Sequence, residues 1–159
     1  MLEEKVLLEL QEYVNGRLER PTLFNCYSST DIVDRYAANS DFETFDKESR
    51  PSFGQVLFAY IEKKGVGEAG IFKRAGMDPG QFLRIRNDPH YQPGKNTVIA
   101  LAMALELNKI ETDRLLSAAG YSLSNCNTFD LVIHFCLENE IFGMEEINQS
   151  LHIFGLEPL

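Results

Sequence analysis

The feature of this sequence that most constrains its fold is a glycine-centred turn within residues 68–87. Gly76 follows a short helical pattern, and glycine readily adopts the left-handed backbone conformation that a tight turn between helices requires. Met77 places an apolar side chain at the angle of the turn. Asp78 and Pro79 are typical of the cap and the first position of a second helix. The run therefore predicts two short helices that cross closely at Gly76.

Apolar side chains on both predicted helices point towards this crossing. They are Ile71, Phe72 and Ala75 on the first helix, and Phe82 and Ile85 on the second. The side chains of the second helix that point outwards belong to Gly80, Gln81, Leu83, Arg84 and Asn87. A glycine-tight turn, an apolar plug and a capped second helix with apolar residues three apart form the pattern of a helix-turn-helix.

Further helices are predicted on both sides of this motif by the three-four spacing of apolar residues. Their expected bounds are residues 2–18, 52–64 with Ser52 as N-cap, 95–107, 111–119, 127–139 and 144–154, with a short helix at 31–38 inside an irregular linker. Residues 98–105 are apolar on nearly every face, so the helix 95–107 should be the central core helix. The expected fold class is all-α, with about seven helices.

The chain is expected to divide into three parts. Residues 1–51 form an N-terminal helix and linker, residues 52–120 the helix-turn-helix domain, and residues 121–159 a C-terminal helical extension packed on that domain. The first helix has an apolar stripe along one side, which suits packing against its own domain or against a dimer partner. The sequence leaves both options open.

The net charge of −9 is unevenly distributed along the chain. Residues 52–120 carry nine Lys or Arg against seven Asp or Glu, residues 1–51 carry six against eleven, and residues 121–159 carry none against six. Only the central part, residues 52–120, therefore has a charge that is compatible with nucleic-acid binding. The acidic C-terminal helices should repel DNA, and they suit a protein partner or a solvated face.

Enzyme and membrane classes find no support in the sequence. No nucleophile–base pair, paired carboxylates or metal cluster can be assembled, and His134 and His152 are expected to be satisfied or exposed helix residues. Residues 65–70 match G-x-G-x-x-G, but they follow a helix instead of the strand that a dinucleotide site needs. No stretch approaches membrane-spanning length.

Cysteine usage points to a reducing compartment. Three widely spaced cysteines without a C-x-x-C pair predict neither a disulfide framework nor a zinc site. The expectation is a cytoplasmic protein that is not an enzyme, has no cofactor or metal, and does not enter a membrane.

Residues 60–120 resemble the Cro/repressor-type (Xre-like) helix-turn-helix family, in which five helices follow in this order. The matching positions are Lys64-Gly65 at the end of the first helix, Ala75-Gly76-Met77 at the turn, Phe82 and Ile85 in the second motif helix, Pro93-Gly94 before the fourth helix, and residues 100–107 within it. Residues 71–159 also resemble a bacterial helix-turn-helix C-terminal module found after other N-terminal parts, including macro domains. The first resemblance implies a transcriptional regulator that binds duplex DNA.

The same resemblance implies which residues would meet the DNA. The helix that begins at Pro79 would lie in the major groove, as the recognition helix does in that family. The base-facing residues would be Gln81, Arg84 and Asn87, and the phosphate contacts would be Lys73, Arg74, Arg86 and Lys95. A homodimer formed through the N-terminal or C-terminal helices is expected.

Four positions depart from the family pattern. Glu68 stands where a glutamine usually touches a phosphate, and Phe72 replaces an alanine at the closest helix crossing, where a larger side chain can splay the helices. Pro79 and Gly80 offer no side-chain donor at the front of the recognition helix. The alternative function is therefore a degenerate helix-turn-helix scaffold that binds or regulates a partner protein.

Overall fold

The computed structural model describes residues 2–18 and 51–159, and every regular element within these two ranges is an α-helix. The eight helices are α1 (Glu4–Leu18), α2 (Phe53–Lys64), α3 (Glu68–Arg74), α4 (Pro79–Asn87), α5 (Lys95–Ala104), α6 (Lys109–Ala118), α7 (Thr128–Glu138) and α8 (Met144–Ile153). The all-α prediction is confirmed. The short helix expected at residues 31–38 lies outside the described ranges. None of the eight helices is long and apolar enough to span a bilayer.

Helix α2 begins and ends where its sequence signals predict. The Ser52 hydroxyl accepts a hydrogen bond from the Gln55 amide, and the Gln55 side chain accepts one from the Ser52 amide, which makes a reciprocal capping box. Gly65 ends the helix at φ 64°, in the left-handed region that glycine adopts without steric cost. The bounds of α2 therefore follow from local chemistry alone.

The predicted turn between α3 and α4 is present, with Gly76 at φ 63°. The Met77 amide donates to the Phe72 carbonyl at 2.9 Å and the Gly76 amide to the Lys73 carbonyl at 3.2 Å, which is the Schellman arrangement at a helix end. The Asp78 carboxylate accepts from the Gly80 amide at 3.1 Å and caps α4. Two helices thus meet at a turn in which backbone groups at both helix ends are satisfied.

Helix α5 is the core helix, as expected, because every residue from Val98 to Ala104 is buried. It ends at Ala104, so the predicted end at Leu107 is three residues too late. Glu106 adopts a left-handed φ of 52°, and this lets the Leu107 amide reach the Ala102 carbonyl at 3.1 Å. The apolar run continues past the helix end because Leu107 folds back into the core.

Helix α6 begins at Lys109, two residues before the predicted start at Glu111. Asn108 is the N-cap, its side chain accepting from the Glu111 amide while the Glu111 carboxylate accepts from the Asn108 amide. Glu111 also receives a hydrogen bond from the Lys63 ammonium at 2.7 Å, which lowers the pKa of Glu111 and raises that of Lys63. This one carboxylate therefore caps α6 and ties it to the end of α2.

Helix α1 packs within its own chain, mainly against α7 of the C-terminal extension. Leu10 and Val14 are fully buried, and the rings of Tyr13 and Phe135 meet edge to face at 5.4 Å. The Leu2 amide donates to the Gln149 side-chain oxygen at 3.2 Å. Of the two options for its apolar stripe, packing against the same chain is the one observed. The partner of α1 is the extension, and α1 does not pack mainly on the helix-turn-helix.

Candidate nucleic-acid interface

Helix α4 is held by its apolar inner face. Ile85 is 3% exposed, and the ring of Phe82 lies between Phe58 of α2 at 6.2 Å and Phe72 of α3 at 3.9 Å between ring centroids. Phe72, which stands where the Cro/repressor-type pattern has an alanine, is thus buried in this aromatic cluster. The cluster fixes the orientation of α4 and so decides which of its residues face outwards.

A close backbone approach also sets the position of α4. A Cβ atom at Gly54 in α2 would lie 2.9 Å from the Ile85 carbonyl oxygen, so only glycine permits this distance between the helices. This role of Gly54 was not predicted from the sequence. The available signal was a glycine inside an otherwise apolar helix pattern, which commonly marks a close backbone contact.

The outer face of α4 is exposed and is covered by no residue that the structure describes. Gln81, Arg84 and Asn87 are all exposed, as predicted, and Leu83 beside them is 53% exposed. Helices α7 and α8 pack on α1, α5, α6 and each other. The structure therefore brings the three predicted base-facing residues together on one accessible surface.

Two of the predicted phosphate-binding arginines are already paired with carboxylates. Arg86 lies 3.5 Å from Glu68 of α3, and Arg74 lies 3.0 Å from Glu106 after α5. All four side chains remain well exposed, and ion pairs of this kind contribute little to stability. A stronger anion such as a phosphate can therefore displace the carboxylate from either arginine.

Lys95 differs from the other predicted phosphate contacts. Its ammonium donates to both oxygens of Asp130, at 2.7 and 2.9 Å, and Asp130 is 2% exposed. The same carboxylate accepts from the Ser124 amide at 2.8 Å. A phosphate that bound Lys95 would leave the buried Asp130 carboxylate without its cation, which would raise the free energy of the folded protein. Lys95 therefore ties the start of α5 to the start of α7.

Lys73 and Arg84 are exposed and have no carboxylate partner within residues 2–18 and 51–159. They lie on α3 and α4, the two helices of the motif. Of the five cations predicted to meet DNA, these two have charges that no ion pair among the described residues offsets.

The histidine of α7 departs from expectation. His134 is 5% exposed, and neither of its ring nitrogens has a hydrogen-bond partner in the part of the chain that the structure describes, so it is neither satisfied there nor exposed. Burial, reinforced by the ammonium of Lys109, lowers the pKa of His134 to about 4. His152 is exposed, as predicted. Within the described part of the chain no group of His, Cys, Asp and Glu side chains has the arrangement of a metal site.

The cysteines also differ from expectation at one position. Cys136 is a buried free thiol, and burial raises its pKa to about 12. Cys126 is disulfide-bonded, whereas the spacing of the cysteines predicted no disulfide. Spacing along the chain reports nothing about which thiols the fold brings together.

Comparison with protein-family models, with curated proteins and with solved structures finds no match to this chain. The relation to Cro/repressor-type proteins rests on the residues quoted above, and it stays a prediction.

Proposed function

We propose that the chain is a transcriptional regulator that binds duplex DNA, with α4 in the major groove. The observation that carries this proposal is the division of α4 into two faces. Ile85 and Phe82 fix the inner face, while Gln81, Arg84 and Asn87 are exposed together on the outer face. A short capped helix with a polar outer face, held rigidly by a preceding helix and a glycine turn, has the shape that the major groove accepts.

The residue types on the outer face fit base edges. An arginine such as Arg84 can donate two hydrogen bonds to guanine, and the amides of Gln81 and Asn87 can each pair with adenine. Lys73, Arg74 and Arg86 would contact phosphates, which position the protein without reading sequence. Lys95, bound to a buried carboxylate, is left out of this set.

The proposal is tested by measuring affinity for duplex DNA as a function of salt. Binding should weaken steeply between 50 and 200 mM salt, on the order of tenfold or more, because phosphate contacts release counterions. The double variant Arg84→Ala, Lys73→Ala should lose roughly tenfold to a hundredfold in affinity. A matched control, Lys5→Ala with Arg114→Ala, removes two exposed cations from α1 and α6 and should bind nearly as the parent does.

Failure of the parent chain to bind any duplex from a random library at low salt would sink the regulator proposal. Where binding is found, sedimentation of the complex measures the protein-to-DNA ratio. A symmetric dimer should present two α4 helices about one DNA turn apart, roughly 34 Å.

A second candidate function is a protein-interaction module, and the charge distribution favours it. Arg74 and Arg86 are paired with carboxylates, and residues 121–159 carry six Asp or Glu without one Lys or Arg.

Charge reversal separates the two functions. The double variant Glu145→Lys, Glu157→Lys should strengthen binding if DNA is the ligand, because it weakens long-range repulsion. A variant that gains no affinity for duplex DNA at low salt favours the protein-interaction function.

A further inference from the structure

We propose that Leu83 contacts the C5-methyl group of a thymine and so makes the protein select a thymine within its DNA site. This inference rests on the proposed function, since it needs α4 to lie in the major groove. It adds a specificity-determining residue to the polar ones, and it names a base that the DNA site must contain.

The exposure of Leu83 is the first observation. Leucine is among the residues most often buried, yet Leu83 is 53% exposed on a helix whose inner positions are already filled by Phe82 and Ile85. Folding therefore gives no reason for an apolar side chain here. A single exposed leucine is ordinary in itself, so its place on α4 has to carry the argument.

The place of Leu83 on α4 is the second observation. Residues three and four apart share one side of a helix, so Leu83 lies between Gly80 and Asn87 on the outermost stripe, next to Arg84. Gly80 presents no side chain there. A Cβ atom at Gly80 would lie 2.8 Å from the capping oxygen of Asp78. The stripe is therefore flat at Gly80, and the backbone there can approach the floor of a groove closely.

Because no side chain stands at Gly80, the next side chain of the stripe, Leu83, can reach the base edges. In the major groove the bases present donors, acceptors and a single apolar group, the thymine methyl. A leucine pressed against donors or acceptors would desolvate them without replacing their hydrogen bonds. Leu83 is thus compatible with thymine and unfavourable opposite the polar edge of guanine, adenine or cytosine.

The charges around Leu83 favour DNA as the occupant of this face. Arg84 adjoins it without a carboxylate partner among the described residues, and Arg86 is engaged only through an exposed ion pair with Glu68. An apolar protein surface that covered Leu83 would have to desolvate these guanidinium groups. A polyanionic duplex pairs with them while its thymine methyl meets the leucine.

The experiment removes the methyl group from the DNA and the leucine from the protein, separately and together. Duplexes bound by the full chain are first selected from a random library at low salt. The selected duplex is then made with thymine or with uracil, which pairs identically but lacks the C5-methyl group. Dissociation constants are measured for the parent, Leu83→Ala and Leu83→Met, with circular dichroism to verify that each variant is folded.

The parent should bind the uracil duplex about fourfold more weakly than the thymine duplex, the effect of one buried methyl group. Leu83→Ala should bind both duplexes equally, and Leu83→Met, which keeps an apolar side chain, should retain the preference for thymine. Equal loss in the parent and Leu83→Ala, or no loss in either, would overturn the thymine contact while leaving DNA binding intact. Absence of binding to any duplex overturns the proposed function, and the thymine contact with it.

Discussion

Helices α4 and α7 are of similar length but are used in opposite ways. All residues of α7 from Asp130 to Leu137 are buried, whereas Ile85 is the one buried residue of α4. Helix α7 is enclosed by α1, α6 and α8, and α4 presents one whole side to solvent. Substitutions in α7 should therefore act on stability, whereas those on the outer face of α4 should leave stability nearly unchanged and act on the proposed DNA binding.

The largest expected difference between the two helices comes from the same substitution made in each. Leu131→Ala in α7 removes a fully buried side chain and should cost about 2–5 kcal/mol of unfolding free energy. Leu83→Ala on the exposed face of α4 should stay within about 0.5 kcal/mol of the parent. Urea denaturation followed by circular dichroism measures both, and equal costs would show that α4 is not the free helix described here.

The second prediction concerns pH and α7. Because the pKa of His134 is about 4 in the folded chain and near 6.5 when unfolded, unfolded molecules bind more protons between these values. The free energy of unfolding should therefore have its full value above pH 6.5 and fall by about 3 kcal/mol as the pH drops towards 4. Denaturant midpoints at pH 7, 5.5 and 4 measure the loss.

His134→Leu should remove this part of the acid sensitivity, because leucine cannot take up the proton. His152→Leu, at an exposed position of α8, is the matched control and should keep the parent's pH dependence. The same pH dependence in His134→Leu and the parent would contradict the assigned role of His134.

The third prediction tests how firmly α4 is held. Gly54→Ala would place a Cβ atom 2.9 Å from the Ile85 carbonyl oxygen, so α2 and α4 must separate. The expected cost is about 1–3 kcal/mol, as for other over-packed sites, with weaker DNA binding since α4 is displaced. Gly70→Ala in α3 meets no atom within 4 Å and should be neutral or stabilising. Thermal melts of the two alanine variants decide between a fixed and a loosely held α4.

The smallest expected effect is a gain of binding. Glu68→Gln removes the carboxylate that pairs with Arg86 at 3.5 Å, so the arginine is freed for a phosphate, and affinity for duplex DNA should rise about threefold. Glu145→Gln in α8 makes the same change of charge away from α4 and should raise affinity less. Fluorescence anisotropy at two salt concentrations measures both, and identical gains would assign the effect to net charge alone.

Much of the fold was predictable because its signals are local. The capping box of α2, the turn at Gly76 and the cap and proline of α4 each depend on a few adjacent residues, and the structure has all three. The errors lie at helix ends. The end of α5 was placed too late because Glu106 takes a left-handed conformation that its residue type does not favour, and the cap at Asn108 was overlooked.

The candidate interface was predictable in part for the same reason. Helical periodicity determined that Gln81, Arg84 and Asn87 share the outer face of α4, and the structure exposes all three. It did not determine which cations are free to meet a ligand. That depends on partners far along the chain, as with Arg74 and Glu106, 32 residues apart, or Lys95 and Asp130, 35 residues apart.

The sequence by itself determined the helix-turn-helix pattern, the core helix α5 and the outward residues of α4, because backbone preferences, caps and apolar spacing act over a few residues. Tertiary structure alone decided that α1 packs on α7, that Gly54 lets α4 approach α2, and that Lys95 is bound to a buried carboxylate. Ion pairs and close contacts depend on distances through space, which packing fixes and no local pattern records.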